Sequence, residues 1–260
     1  MPDQSLDKIH MSTDTALAAG AALAALVEER LPLTVKTSQP PQPMRVIGPA
    51  MLARGAGTVQ AIGKLAPLNR DADAGVLLRV LLEHMITFAW LAADEDDKRF
   101  ALWLKSDSKR RLTMHNDLPS ELDDLLPPPL KALFERIVDR VGGQLPNLRL
   151  RAQCADADWA PRLPGVLQPG IEWASYLGLY RTVYRYLSGF THAGDLSLNA
   201  VIKRGEEGED IVAMETWESE SSAVVIAPFV LGLGLYVASE AQDWPDRQAI
   251  DATFNEAATA

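Results

Sequence analysis

Residues 173–192, WASYLGLYRTVYRYLSGFTH, contain no proline and sort by face, and they set the expectation of a helical fold. Leu179, Val183, Tyr186 and Phe190 form one row, and Trp173, Leu177, Tyr180, Tyr184 and Leu187 another, so more than half of the circumference is apolar. Arg181, Arg185, Ser188 and His192 follow at spacings of four, three and four, which places them on one stripe. Ser175, Gly178, Thr182 and Gly189 lie beside that stripe and leave room for a neighbouring chain or ligand. A helix buried on most sides that keeps two arginines, a serine and a histidine in line is the leading functional candidate in the chain.

The 260 residues carry 47% hydrophobic and 23% charged side chains, the balance of a globular protein large enough to bury a sizeable core. A net charge of −10 argues against coating duplex nucleic acid or an anionic membrane, while leaving room for a small basic pocket. The single cysteine, Cys154, excludes an intramolecular disulfide and a cysteine-rich zinc site, and it suits a reducing cytoplasm. The N-terminal MPDQSLDK is acidic where a secretory leader is basic, so a cytoplasmic location without export is expected. Ala223–Ala238 is apolar, but it is short for a span and interrupted by Pro228, Gly232 and Gly234, which predicts a core helix and no membrane association. Arg79, Glu83 and His84 argue the same for residues 76–93.

Outward from the central stretch, residues 5–30 read as an alanine-rich helix, and the prolines of residues 31–44 mark a linker. Further helices are predicted over residues 45–66, from a cap at Asn69 or Asp71 to Ala93, from the acidic 94–97 cluster to Met114, and over 130–141. Residues 144–169 lose periodicity and contain Pro146, Asn147, Pro161, Pro164, Gly165 and Pro169, which predicts a long surface loop. After the central helix, LSLNAVIK and DIVAMETW flank the turn RGEEGE as a two-stranded hairpin would, and a frayed tail is expected after the last core helix. The domain division is an N-terminal helix and linker at 1–44, a helical domain at 45–242 and a tail at 243–260.

Arg79 and Glu83 stand four apart on an otherwise apolar helix, facing each other along one line. Such a pair either fixes helix packing or orients a catalytic group on a neighbouring helix. His192 is able to exchange a proton near neutral pH, or else closes its helix against the last carbonyls. Arg185 and Ser188 on the same stripe offer a phosphate-binding fork and a positioning hydroxyl. His10, His84 and His115 show no metal-ligand spacing, and no Walker loop, GxGxxG or GxSxG is present, so neither a metal nor a cofactor is expected. A metal-dependent enzyme using Glu83 with His84 or His192 is the weakest reading. Lys105, Lys109, Arg110 and Arg111 form a basic patch, suited to RNA or to a solvated helix face.

The R-x-x-L-E of Arg79–Glu83 and the Y-x-x-L-S-x-x-x-H of Tyr184–His192 resemble a bacterial family of uncharacterised helical domains that is similar to the HEPN superfamily, the higher-eukaryote and prokaryote nucleotide-binding domains. The resemblance covers roughly residues 45–240. It implies a metal-independent ribonuclease of toxin–antitoxin or phage-defence systems, acting as a homodimer, with an arginine and a histidine separated by four to six residues. Arg185 and His192, with six between them, meet the outer limit. By that resemblance Arg185 holds the scissile phosphate, His192 transfers protons, and the ribose 2′-hydroxyl attacks to leave a cyclic phosphate.

The expectation is therefore a mostly all-α helical bundle of the HEPN type with a small β-hairpin after the central helix. Its expected activity is endoribonuclease or RNA binding, with RNA and an antitoxin or defence protein as partners. Arg185 and His192 are the catalytic candidates, supported by Arg79, Glu83, Arg181, Tyr184 and Ser188. The alternative is a non-catalytic helical module that binds a nucleotide, anion or protein partner.

Overall fold

The computed structural model describes residues 12–29, 43–68, 70–119, 126–167, 174–191, 202–204, 210–212, 222–242 and 247–259. These are almost entirely helical, and the all-α expectation holds. The helices are α1 Thr13–Glu28, α2 Pro43–Leu65, α3 Asp71–Ala92, α4 Lys98–Asn116, α5 Pro128–Arg140, α6 Leu148–Trp159, α8 Ser222–Gln242 and α9 Arg247–Thr259. Between α6 and α8, helix α7 runs as Tyr176–Leu179, one π-helical turn at Tyr180–Tyr184, and Arg185–Thr191. Ile202–Arg204 and Asp210–Val212 pair antiparallel, three residues each.

Helix α3 is the centre of the molecule. Its first turn carries Asp71 and Asp73, which complement the helix dipole, and its body supplies Leu78, Leu81, Leu82, Met85, Ile86, Phe88 and Leu91 to the core. Burying each such side chain contributes about 1.5–3 kcal/mol. Helices α2 and α8 cover one side of α3 and α6 and α7 the other, while α1 closes over α2 and α8. Close approach of α8 depends on Gly234, where a Cβ would fall 2.5 Å from the Met85 sulfur. Both α3 and the stretch Ala223–Gln242 are long and apolar enough to cross a membrane, yet 67% and 72% of their apolar windows are buried against neighbouring helices, as core helices require.

Two expectations are overturned. The stretch read as a surface loop contains α6, because Asn147 caps it by accepting the Leu150 N–H at 2.9 Å and Leu148, Ala152, Ala155 and Trp159 form a buried stripe. The fully buried Trp159 donates its indole N–H to the Ala89 carbonyl at 2.8 Å, which locks α6 to α3. The tail read as frayed is α9, which packs on α1 and α8 and is tied down by the Tyr236 hydroxyl and Asp251 carboxylate at 2.6 Å.

Helices α4 and α5 pack on each other and touch α3 only at their base. There Arg99 donates to the Trp90 carbonyl at 2.9 Å and to Asp158 at 2.6 Å, and Asp94 caps α4 by accepting the Phe100 N–H at 2.9 Å. Three of the four basic side chains of the α4 patch are engaged locally. Lys105 donates to the Val141 and Gly143 carbonyls, closing the end of α5, while Arg110 and Arg111 pair with Asp107 at 2.9 and 2.6 Å.

Candidate functional site

Arg79, Glu83 and Thr87 follow at intervals of four along α3 and share one stripe, turned towards α6 and α7. The Arg79 Nε donates to the Ser188 hydroxyl at 3.3 Å, and Nη2 donates to the Tyr184 hydroxyl at 3.1 Å. Its guanidinium carbon also lies 4.9 Å from the centroid of the Tyr184 ring, a cation–π arrangement. The expected Arg79–Glu83 ion pair is absent among the described residues: Arg79 reaches across to α7 instead of along its own helix. Two neutral acceptors and a ring face therefore hold this guanidinium and fix how α7 is rotated against α3.

The π turn decides where the predicted stripe goes. The Arg185 N–H reaches back to the Tyr180 carbonyl, five residues earlier, so the turn holds one residue more than an α-turn. Side chains four apart then align across it. Leu179, Val183 and Leu187 are buried, Tyr180, Tyr184 and Ser188 line the α3 side, and Arg181 and Arg185 face solvent. Tyr180 and Tyr184 stack with ring centroids 5.2 Å apart. Tyr186, expected on a buried row, is 56% exposed for the same reason. The structure thus brings Arg79, Glu83, Tyr184 and Ser188 together and sets Arg181 and Arg185 on another face. His192 lies outside the described residues.

Helix α6 contributes residues that the sequence reading missed. Arg151 is only 8% exposed, and its Nη1 donates to the Thr87 hydroxyl at 2.5 Å. Burial lowers the pKa of this guanidinium, against which Glu83 and then Tyr184 raise it, so the carboxylate stands within its electrostatic reach. Asp156, 7% exposed, accepts the N–H groups of Tyr176 and Leu177 at 2.7 and 3.0 Å and so caps α7 from a different helix. Burial raises the Asp156 pKa, opposed by those N–H bonds and by a hydrogen bond from the Ser175 hydroxyl. The Tyr184 hydroxyl is pushed up by burial and by Glu83, opposed by Arg79, and stays protonated at neutral pH. The signal for α6 was present in the N-cap Asn147 after Pro146 and in the helical spacing of Leu148, Ala152, Ala155 and Trp159.

A family model matches residues 47–210, a stretch that holds every residue of this cluster. The chain belongs to DUF5677, a family of unknown function. This DUF5677 member matches no curated protein and no solved structure. Among its described residues no three His, Cys, Asp or Glu side chains converge as a metal site. Membership agrees with the resemblance to uncharacterised helical domains, and the HEPN relationship goes a step further than this match.

Proposed function

We propose that this DUF5677 protein is a metal-independent endoribonuclease or RNA-binding protein of the HEPN type, acting in the cytoplasm as a homodimer within a toxin–antitoxin or phage-defence system. The observation that carries the reading is the exposed pair Arg181 and Arg185, one turn apart on α7 and without ion-pair partners among the described residues, in a chain of net charge −10. Two permanent forks presented to solvent from a helix anchored by Arg79 suit phosphate.

In this reading Arg185 holds the scissile phosphate and neutralises the charge that grows on its oxygens in the transition state, with Arg181 on the flanking phosphate. His192 transfers the proton as the 2′-hydroxyl attacks phosphorus. The P–O5′ bond breaks, leaving a 2′,3′-cyclic phosphate on one fragment and a 5′-hydroxyl on the other. Arg79, Tyr184 and Ser188 set the rotation of α7, and Glu83 supplies the neighbouring negative charge. Binding of an anion without turnover is the second reading, favoured by the low affinity for bulk RNA that a net negative chain implies.

The test is cleavage of labelled single-stranded RNA and total tRNA in EDTA by wild type, Arg185→Ala and His192→Ala. Cyclic-phosphate ends produced by the wild type alone are expected. Absence of cleavage by folded wild type, or equal cleavage by the two variants, overturns the nuclease reading.

A further inference from the structure

A guanidinium buried as deeply as that of Arg151 ordinarily sits in an ion pair, because an unpaired charge away from water is strongly unfavourable. Among the described residues Arg151 has instead one neutral partner, the Thr87 hydroxyl, and its Nε is buried without a hydrogen-bond partner. No ion pair joins it to Glu83, although the carboxylate is within its electrostatic reach. Glu83 and Tyr184 are only half-buried, so the cluster has an edge at the surface. Arg79 stands one turn further along α3 with its guanidinium committed to Tyr184 and Ser188. The other buried carboxyl group nearby, Asp156, is committed to the Tyr176 and Leu177 N–H groups of α7, which leaves Glu83 as the carboxylate close to both guanidinium groups.

We infer that Arg151 is the floor of a small anion-binding site between α3, α6 and α7, which takes a phosphate group whose oxygens accept from Nε and Nη of Arg151. Glu83 competes with that anion for the guanidinium. The site is separate from Arg181 and Arg185, which face solvent, and the inference does not depend on RNA cleavage. A guanidinium offers two parallel donors to two phosphate oxygens, a geometry that a lysine ammonium does not reproduce.

The experiment is thermal unfolding of the full chain in an anion-poor buffer, titrated separately with inorganic phosphate, uridine 5′-monophosphate and acetate, for wild type, Arg151→Met, Arg151→Lys and Glu83→Gln. Wild type is expected to melt roughly 5–10 °C higher at a hundredfold excess of phosphate over its Kd, and acetate to give less. A larger shift with the nucleotide identifies a phosphate monoester as the occupant, and equal shifts identify the free anion. Glu83→Gln should melt low without phosphate, be restored by it, and bind it about tenfold more tightly, since the competing charge is gone. Arg151→Met, if folded by circular dichroism, should lose the shift, and Arg151→Lys should retain only part of it. Should Arg151→Met fail to fold, wild type and Glu83→Gln decide alone. If neither responds to phosphate or nucleotide, the inference fails and Glu83 is simply the structural counter-charge of Arg151. An RNA-cleaving protein that ignores phosphate in this titration overturns this inference alone. A phosphate-binding protein that leaves RNA intact overturns the nuclease reading alone.

Discussion

His84 shows how one side chain on the central helix carries a pH dependence. Burial lowers its pKa below the ordinary 6.5, Arg54 adds to the lowering, and Glu83 opposes it. The folded protein therefore keeps a neutral imidazole where the unfolded chain takes up a proton. Stability from this group is fully present above pH 6.5 and is lost as the pH falls from there through the lowered folded-state value. Urea melts between pH 4.5 and 7.5 should show a steeper fall on acidification for wild type than for His84→Leu, and parallel curves would remove His84 as the source. At this scale the sequence was a partial guide. Spacing identified Arg79 and Glu83 as sharing a face, but it put Ser188 with Arg181 and Arg185 and left Tyr184 on an apolar row, and only the family resemblance brought Tyr184 among the site residues. Direction was beyond it: whether Arg79 turns to Glu83 or to Tyr184 depends on which neighbour α7 brings within 3.1 Å. Asp156 and Arg151 were illegible as site residues once their segment was read as a loop.

Among the elements, two glycines make opposite cases. Gly57 lies exposed in the interior of α2, and a Cβ there meets nothing within 4 Å. Gly57→Ala should raise stability by about 0.5–1 kcal/mol, the propensity gain of alanine in a helix. Gly232 in α8 would place a Cβ 2.5 Å from the Phe254 ring, so Gly232→Ala should cost about 1–3 kcal/mol by displacing α9. Urea unfolding of both variants checks the pair, and the same sign for both would show that α9 does not rest on α8 as described. The long apolar elements α3 and α8 were readable because their buried runs exceed what a loop or strand sustains. The π turn was not readable, since Tyr180–Tyr184 has the same composition as the α-turns around it and its extra residue is held by packing against α3.

For the whole molecule, the distribution of buried residues predicts two levels of stability. Helices α4 and α5 bury Ser108, His115 and Phe134 between them, whereas α3 alone buries twelve residues. Their amides should exchange with deuterium through a local opening well below the global unfolding free energy, and α3 and α8 should exchange only with global unfolding. Equal protection throughout would mean that the α4–α5 pair is part of the main cooperative unit. The helical class was visible from pattern alone, but the central place expected for residues 173–192 belongs to α3, and the way α4 and α5 stand apart was not visible, because an amphipathic helix shows only that it has an apolar face. The family match ends at residue 210, while α8 begins at Ser222 and lies along α1, α2 and α3. The matched stretch and the packed core thus have different edges. A polypeptide cut to residues 47–210 would leave the faces of α2 and α3 around Leu52, Leu81 and Met85 without their cover, and their exposed apolar surface would draw such fragments into aggregates where the full chain stays folded.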